Sequence, residues 1–251
     1  MVEATREHLA VARAAGSTIP SQHAITLLEG YAIGAELEKE RIAVGWRRVG
    51  WKLGFTNQAL WAALGLDQPF RAPVYEETLA SDSIEMKALV QPRIEPEIVV
   101  GVDRDIAAES DSAEIAAAIG WAAAGLEVVQ CHFQGWQMSP AEAVADAGLH
   151  AALIIGERQT MTAKTVRALS ECDCLLLCDG EKVGSGRGTD VLGGPLDALR
   201  WLLRGLPSGL RAGEIVTTGT LTSALPISGQ QRWTNRLSGP VALGSVEVSF
   251  S

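Results

Sequence analysis

A single α+β domain is the fold class this sequence predicts, with helices gathered at the front and strands filling most of the rest. Helical spacing dominates the first 45 residues, and more than half of the chain after Arg93 reads as strand, turn or short connection. A length of 251 residues, 47% of them hydrophobic and 20% charged, suffices for one substantial core and shows no low-complexity segment.

Residues 21–44 follow a Pro20-Ser21 start signal and carry Leu27, Leu28, Tyr31 and Leu37 near helical spacing, which predicts a helix lying across a sheet. Residues 47–55, RRVGWKLGF, alternate as a strand and place Lys52 late in it, close to a turn. Thr56 stands where it can cap a short helix, NQALWAAL, that ends at Gly65. Between Gly65 and Thr78, two prolines and the lack of any period predict a loop able to cover a site. Residues 95–102 form an apolar strand with acidic interruptions. Residues 110–125, SDSAEIAAAIGWAAAG, read as a helix that delivers the chain to a second strand, LEVVQCHF. PAEAVADAG is a short helix and LHAALIIG a strand. In LLLCDGEKV the pair Asp179-Gly180 is a two-residue hairpin signal, with φ positive at both central positions. It leads into GSGRGTD, whose glycines match neither a phosphate loop nor a dinucleotide fingerprint and read as a turn. Pro195 suits the first position of the helix LDALRWLLRGL, and residues 214–250 are strand and turn material.

The formal charge of −9 argues against a nucleic-acid partner, because phosphate binding needs clustered Lys and Arg. An anionic small substrate would need local positive charge, which a bound divalent cation supplies. Glu3, Arg6, Glu7 and Arg13 interrupt the stretch where a secretory signal would be apolar, and no apolar run reaches spanning length. A cytoplasmic protein with no membrane partner is the expectation. Cys172, Cys174 and Cys178 share one strand face; with no fourth ligand at finger-like spacing, they read as reduced core residues and not as a zinc site.

In RIEPEIVV, strand geometry points Glu95 and Glu97 to the same face. Like charges converging among Ile94, Ile98, Val99 and Val100 are unfavourable unless a cation or protons neutralise them. Glu127, another single acid inside an apolar strand, is the third candidate. Three carboxylates would hold Mg2+ or Mn2+ and leave positions open for a chelating substrate and water. Pro96 lacks an N–H and places this strand at an edge, a bulge or a rim. On spacing alone a solvent-facing strand with Arg93 as exposed partner is the favoured reading, and E-x-E by itself does not mark a metal site.

Larger segments bear on that choice. GWKLGFTNQALWAALGLDQP, VQPRIEPEIVVGVDRDI, GLEVVQCHFQGW, EKVGSGRGTDVLGGPLDALRWL and AGEIVTTGTLTSALPI resemble, in order, segments of the 2-keto-4-pentenoate hydratase and 4-oxalocrotonate decarboxylase family within the fumarylacetoacetate hydrolase fold. The resemblance covers most of residues 45–250. It implies a mixed β-roll with flanking helices, a helical part over residues 1–45 and a metal-binding catalytic part over 46–251. It also implies Mg2+ or Mn2+ held by Glu95, Glu97 and Glu127, and a small 2-oxo or 2-hydroxydienoate carboxylic acid as substrate, in the catabolism of aromatic compounds. Lys52 matches the family's active-site lysine, which would bind the substrate carboxylate or move a proton; on spacing alone it is a solvated strand lysine. A homo-oligomer, with a related pathway enzyme as a further partner, completes the expectation.

Two departures set the chemistry apart. Phe70 stands where the family's hydratases usually carry an acid, and Ala145-Asp146-Ala147-Gly148-Leu149 replaces the family's A-D-N-A-S stretch. Phe70 and Leu149 cannot direct water, which favours decarboxylation slightly over hydration. Thr222 and Pro226 resemble the decarboxylase branch in position. Asp146 is read as a supporting or helix-capping group and His150 as a substitute water activator. An acylpyruvate-type carbon–carbon hydrolase ranks lower, since its His-and-Glu lid motif is not seen near His8 or His23. A non-catalytic subunit that stabilises a related enzyme is the alternative from another class.

Overall fold

A computed structural model describes residues 2–22, 24–64 and 66–251. His23, weighed above as a lid histidine, and Gly65, the expected helix end, lie outside the described residues. The helices are α1 (Val2–Ala15), α2 (Leu27–Ala43), α3 (Trp61–Leu64), α4 (Ser112–Ala118), α5 (Pro140–Ala145), α6 (Ala163–Ala168) and α7 (Pro195–Arg204). The strands are β1 (Arg48–Gly54), β2 (Phe70–Tyr75), β3 (Ser83–Ile84), β4 (Arg93–Val102), β5 (Ile119–Val129), β6 (His150–Ile155) and β7 (Gln159–Thr160). They continue with β8 (Asp173–Cys178), β9 (Glu181–Arg187), β10 (Ile215–Thr217), β11 (Leu225–Pro226), β12 (Arg232–Ser238) and β13 (Gly244–Phe250).

Two sheets face one another. The larger runs β2-β1-β10-β4-β5-β6, with β11 beside β4 and β7 beside β5; the smaller runs β3-β13-β12-β8-β9. Each is mixed, since β1 pairs with β10 and β13 with β3 in parallel while the other pairs are antiparallel. Ile98, Leu126, Leu176 and Val248 fill the space between sheets, and Ile115, Val166 and Leu199 of α4, α6 and α7 extend that core. A second cluster joins α1, α2 and α5 to β2 through Leu9, Ile33, Val144 and Phe70. Asn235 of β12 is fully buried and donates through Nδ2 to the carbonyls of Glu97 (3.1 Å) and Gly125 (2.8 Å), tying the smaller sheet to the strands that carry the acids.

Several elements differ from the sequence reading. The helix expected from residue 21 begins at Leu27, because Thr26 and Glu29 form a reciprocal capping box, whereas Ser21 hydrogen-bonds Glu142. Asn57, not Thr56, caps the turn before α3 by accepting from the Ala59 amide at 3.1 Å. The expected loop before Thr78 contains β2, an edge strand antiparallel to β1; at an edge, Pro73 removes no ladder bond. Residues 119–125 leave the predicted helix and open β5. Its alanines are good helix formers, yet tertiary fit overrides propensity here: Gly125 lies so close to Val99 that a Cβ would meet its Cγ2 at 2.5 Å. The glycine-rich piece GSGRGTD runs as strand β9 through Arg187, with Gly186 pressed against the Leu221 carbonyl.

Other expectations hold. Asp179 and Gly180 have φ of +51° and +85°, as a tight primed hairpin turn demands. Pro195 opens α7. Cys172, Cys174 and Cys178 are free thiols, the first two buried. Pro96 lies on an inner strand and not at a sheet edge, but it stands in the gap between β10, whose pairing ends at Val99, and β11, whose pairing starts at Ile94. The Leu221 amide fills that gap by donating to the Pro96 carbonyl at 2.9 Å. The missing proline N–H therefore falls where the ladder is already interrupted, which is how an inner strand tolerates Pro96 and corrects the expectation of an edge, bulge or rim.

Candidate metal centre

Register brings the three acids together. Glu95 stands directly across from Glu127 in the β4–β5 pair, and Glu97 stands across from Gly125, whose missing side chain leaves room. Glu97 and Glu127 are fully buried and Glu95 partly so; one oxygen from each lies within 4.8 Å of the others.

Each buried carboxylate divides its oxygens. Glu97 Oε2 accepts from the Gly219 amide at 2.8 Å and from the Thr217 hydroxyl, while its Oε1 is buried without a partner. Glu127 Oε1 accepts from Lys52 Nζ at 3.1 Å and from His150 Nδ1 at 2.7 Å, while its Oε2 is buried without a partner. A buried polar atom left unpaired costs on the order of 1–3 kcal/mol, more when charged. Two such oxygens beside Glu95 fit a hard divalent cation, which takes carboxylate oxygens and keeps further positions open.

The electrostatics agree. Burial, helped by the charge of Glu127, lifts the Glu95 carboxyl to about 7 against the pull of Lys52. Burial and the neighbouring acids Glu127 and Glu95 push Glu97 well above the ordinary carboxylate range. Burial also works against ionised Glu127, but Lys52 and His150 outweigh it and hold that carboxyl below its usual value. For Lys52, burial favours the neutral amine, and the combined charge of Glu127, Glu95 and Glu97 overcomes it, so the ammonium is retained.

Lys52 is buried and also donates to the Gly148 carbonyl at 3.1 Å. Phe70 opens β2 with its ring 5.5 Å from Lys52 Nζ and packs edge-on against Phe55 at 4.9 Å between centroids. Leu149 is buried in the same apolar cluster as Phe70. Asp146 does not contact the acids: it caps the end of α5, accepts from the His132 amide and ring, and pairs with Arg13 at 3.2 Å. The Thr222 hydroxyl donates to the Ser223 carbonyl at 3.1 Å and is likewise not joined to the acids by any bond among the described residues. Sequence reasoning missed Thr217, Gly219 and Thr78, which hold Glu97 and His150. The TTGT run at 217–220 follows a strand and is the one signal that could have drawn attention to the first two. Thr56, which closes the segment WKLGFT, has a buried hydroxyl with no partner, pressed close to Gly219.

Comparisons with known proteins bear directly on this centre. The family model for the fumarylacetoacetate (FAA) hydrolase C-terminal region matches residues 62–240. The chain is 35% identical over 227 residues to a 2-keto-4-pentenoate hydratase of Paraburkholderia phymatum, a match spanning 88% of this chain and 85% of that one. It is 28% identical over 255 residues to a 2-hydroxyhexa-2,4-dienoate hydratase of Comamonas testosteroni, covering 98% and 94% of the two chains. Among solved structures, 4-oxalocrotonate decarboxylase from Pseudomonas putida G7, complexed with magnesium and adipate, matches with a TM-score of 0.90 at 26% identity, over 100% of this chain and 97% of that chain. The chain belongs to the fumarylacetoacetate hydrolase family, in the group that includes the 2-keto-4-pentenoate hydratases.

Proposed function

We propose that this chain is a divalent-metal-dependent lyase acting on a small 2-oxo or 2-hydroxydienoate carboxylic acid, in the catabolism of aromatic compounds. The observation that carries the reading is the pair of partnerless buried oxygens, Glu97 Oε1 and Glu127 Oε2, gathered with Glu95 in one cluster. Glu95, Glu97 and Glu127 would hold Mg2+ or Mn2+, whose chemistry is to stabilise negative charge as a 2-oxo acid becomes an enolate or dienolate. The Lys52 ammonium, kept charged by the acids around it, binds a substrate oxygen or holds the proton that is moved. Thr56 offers an unpartnered hydroxyl for a substrate oxygen.

Phe70 and Phe55 wall one side of Lys52 with aromatic carbon, and Leu149 extends that wall. Hydration requires an oriented water and a proton acceptor, and carbon offers neither. Decarboxylation requires only that the electrons left by departing carbon dioxide be accommodated. The apolar wall therefore favours decarboxylation, and the 35% identity to a hydratase supports hydration as the second reading. Free thiols and the absence, among the described residues, of any helix able to cross a membrane support a cytoplasmic protein. The exposed apolar side chains of Leu28, Ile42 and Val44 support a homo-oligomer, while a related pathway enzyme as a further partner rests on the family resemblance alone.

The test supplies purified protein and Mg2+ with a 2-oxo-3-hexenedioate and, separately, a 2-hydroxypentadienoate, following products by mass. Carbon dioxide from the first is expected, with loss of turnover on chelation of the metal. Water addition to the second without carbon dioxide from the first selects the hydratase reading. No turnover of either, with metal bound, overturns both and points to a non-catalytic subunit.

A further inference from the structure

We propose that His150, braced by Thr78, is the positioning residue for Glu127: it fixes the carboxylate in the rotation that turns Oε2, and not Oε1, toward the metal. The inference rests on the metal-site reading above and adds to it a role outside the three ligands.

Register explains how His150 reaches the site. Along the β5–β6 pair, Glu127 stands across from Leu153, Val128 from Ala152, and Val129 from His150, so one residue of β6 is extra at this point. Such a bulge re-aims the side chains beyond it. Glu127 and Val129 share a face, and His150, opposite Val129, shares that face too. The imidazole is buried, and its Nδ1–H donates to Glu127 Oε1 at 2.7 Å, closer than Lys52 Nζ at 3.1 Å.

The other ring nitrogen is held as well. His150 Nε2 meets Thr78 Oγ1 at 2.8 Å, a hydroxyl whose single hydrogen is shared between this ring nitrogen and the Tyr75 carbonyl. Thr78 itself is anchored to the Tyr75 backbone, and its segment is stitched to β6 where the Ala80 amide donates to the Leu153 carbonyl at 3.0 Å. The imidazole is therefore fixed at both ends. Lys52 cannot do the same work, because an ammonium on a flexible stem is a point charge that leaves the carboxylate free to rotate. A planar ring gripped at both nitrogens sets the carboxylate plane, as partners behind metal-bound groups commonly do.

Three variants test the role. His150→Phe keeps the ring and loses both nitrogens, His150→Gln keeps an amide donor, and Thr78→Val removes only the brace. Each is titrated with Mn2+ by calorimetry in the absence of substrate, alongside its melting temperature. Expected results are binding weakened about tenfold or more in His150→Phe, closer to the parent in His150→Gln, and intermediate in Thr78→Val. Parental affinity in a folded His150→Phe overturns the proposal, as does a His150→Gln that falls as far as His150→Phe. Should His150→Phe fail to fold, Thr78→Val decides, and unchanged affinity there overturns it. A parent protein that binds no Mn2+ instead removes the metal site itself, which separates the failure of that reading from the failure of this one.

Discussion

At the scale of single residues, the site is an economy of oxygens in which each buried carboxylate gives one atom to the protein and keeps one free. Glu97→Gln replaces a charged ligand by a neutral amide, so metal affinity is expected to fall by roughly a hundredfold, since the charge and number of oxygen ligands set it. Titration with Mn2+ checks this, and an unchanged constant eliminates the site. Lys52→Met keeps the apolar stem but strips the charge that holds Glu127 ionised. Turnover should drop at least about tenfold, as for loss of a group that handles charge or a proton. Removing one partner from a buried ion pair also costs about 3–5 kcal/mol, so the metal-free variant should melt well below its parent while saturating Mg2+ restores part of the loss. Normal turnover would remove Lys52 from the chemistry.

At the scale of elements, strand period brought two of the acids onto one face, and the family resemblance supplied their role. Residues two apart in a strand share a face, so Glu95 and Glu97 could be paired without any structure, and Glu127 followed as an acid in the next apolar strand. The contact of His150 with Glu127 depends on a bulge in β6, and one extra residue leaves no mark in a hydrophobic pattern. The start of β5 was hidden because Ala122, Ala123 and Ala124 favour helix in isolation and strand only where neighbouring strands press close. The turn between α5 and β6 was equally opaque. Ala147, Gly148 and Leu149 take φ of +57°, +64° and +64°, three left-handed residues in succession, and the Gly148 carbonyl receives Lys52. Left-handed geometry at Ala and Leu is strained and persists only where surroundings impose it. A Cβ on Gly148 would meet that of Ala72 at 2.3 Å. Gly148→Ala is therefore expected to destabilise by about 2 kcal/mol through overpacking and backbone strain and to lower turnover by displacing the carbonyl under Lys52. Denaturant unfolding and steady-state rates check the two effects, and parental values in both would show that the turn tolerates the change.

At the scale of the whole molecule, a cation held by Glu95, Glu97 and Glu127 would be a stability device as well as a chemical one. Glu97 lies on a strand tied through Asn235 to the opposite sheet, so a cation there is anchored to both layers of the fold. Without metal, burial lifts Glu95 in the folded chain to about 7, and burial with the neighbouring acids pushes Glu97 well above the ordinary range, so both lie above the unfolded carboxylate value of about 4.3. Between roughly pH 4.5 and 7 the folded state therefore binds more protons at these groups than the unfolded state does. Stability from them falls as pH rises through that window and is highest below it. Glu127 has the opposite sign, since its folded value is lowered, but its contribution is lost only at acid pH below the window. Metal must displace the protons of Glu95 and Glu97, so its affinity climbs as pH rises, and the stabilisation from a saturating ligand climbs with it. Saturating Mg2+ should accordingly raise the melting temperature little at pH 5.5 and much more at pH 8, with the metal-free protein losing stability over the same interval. The same scan on Glu97→Gln, which has no proton to displace at that position, should show a small and flatter metal effect. A shift with Mg2+ that is equal at both pH values in the parent would mean that Glu95 and Glu97 are already ionised without metal, and that the unpaired oxygen of Glu97 is satisfied by something other than a proton.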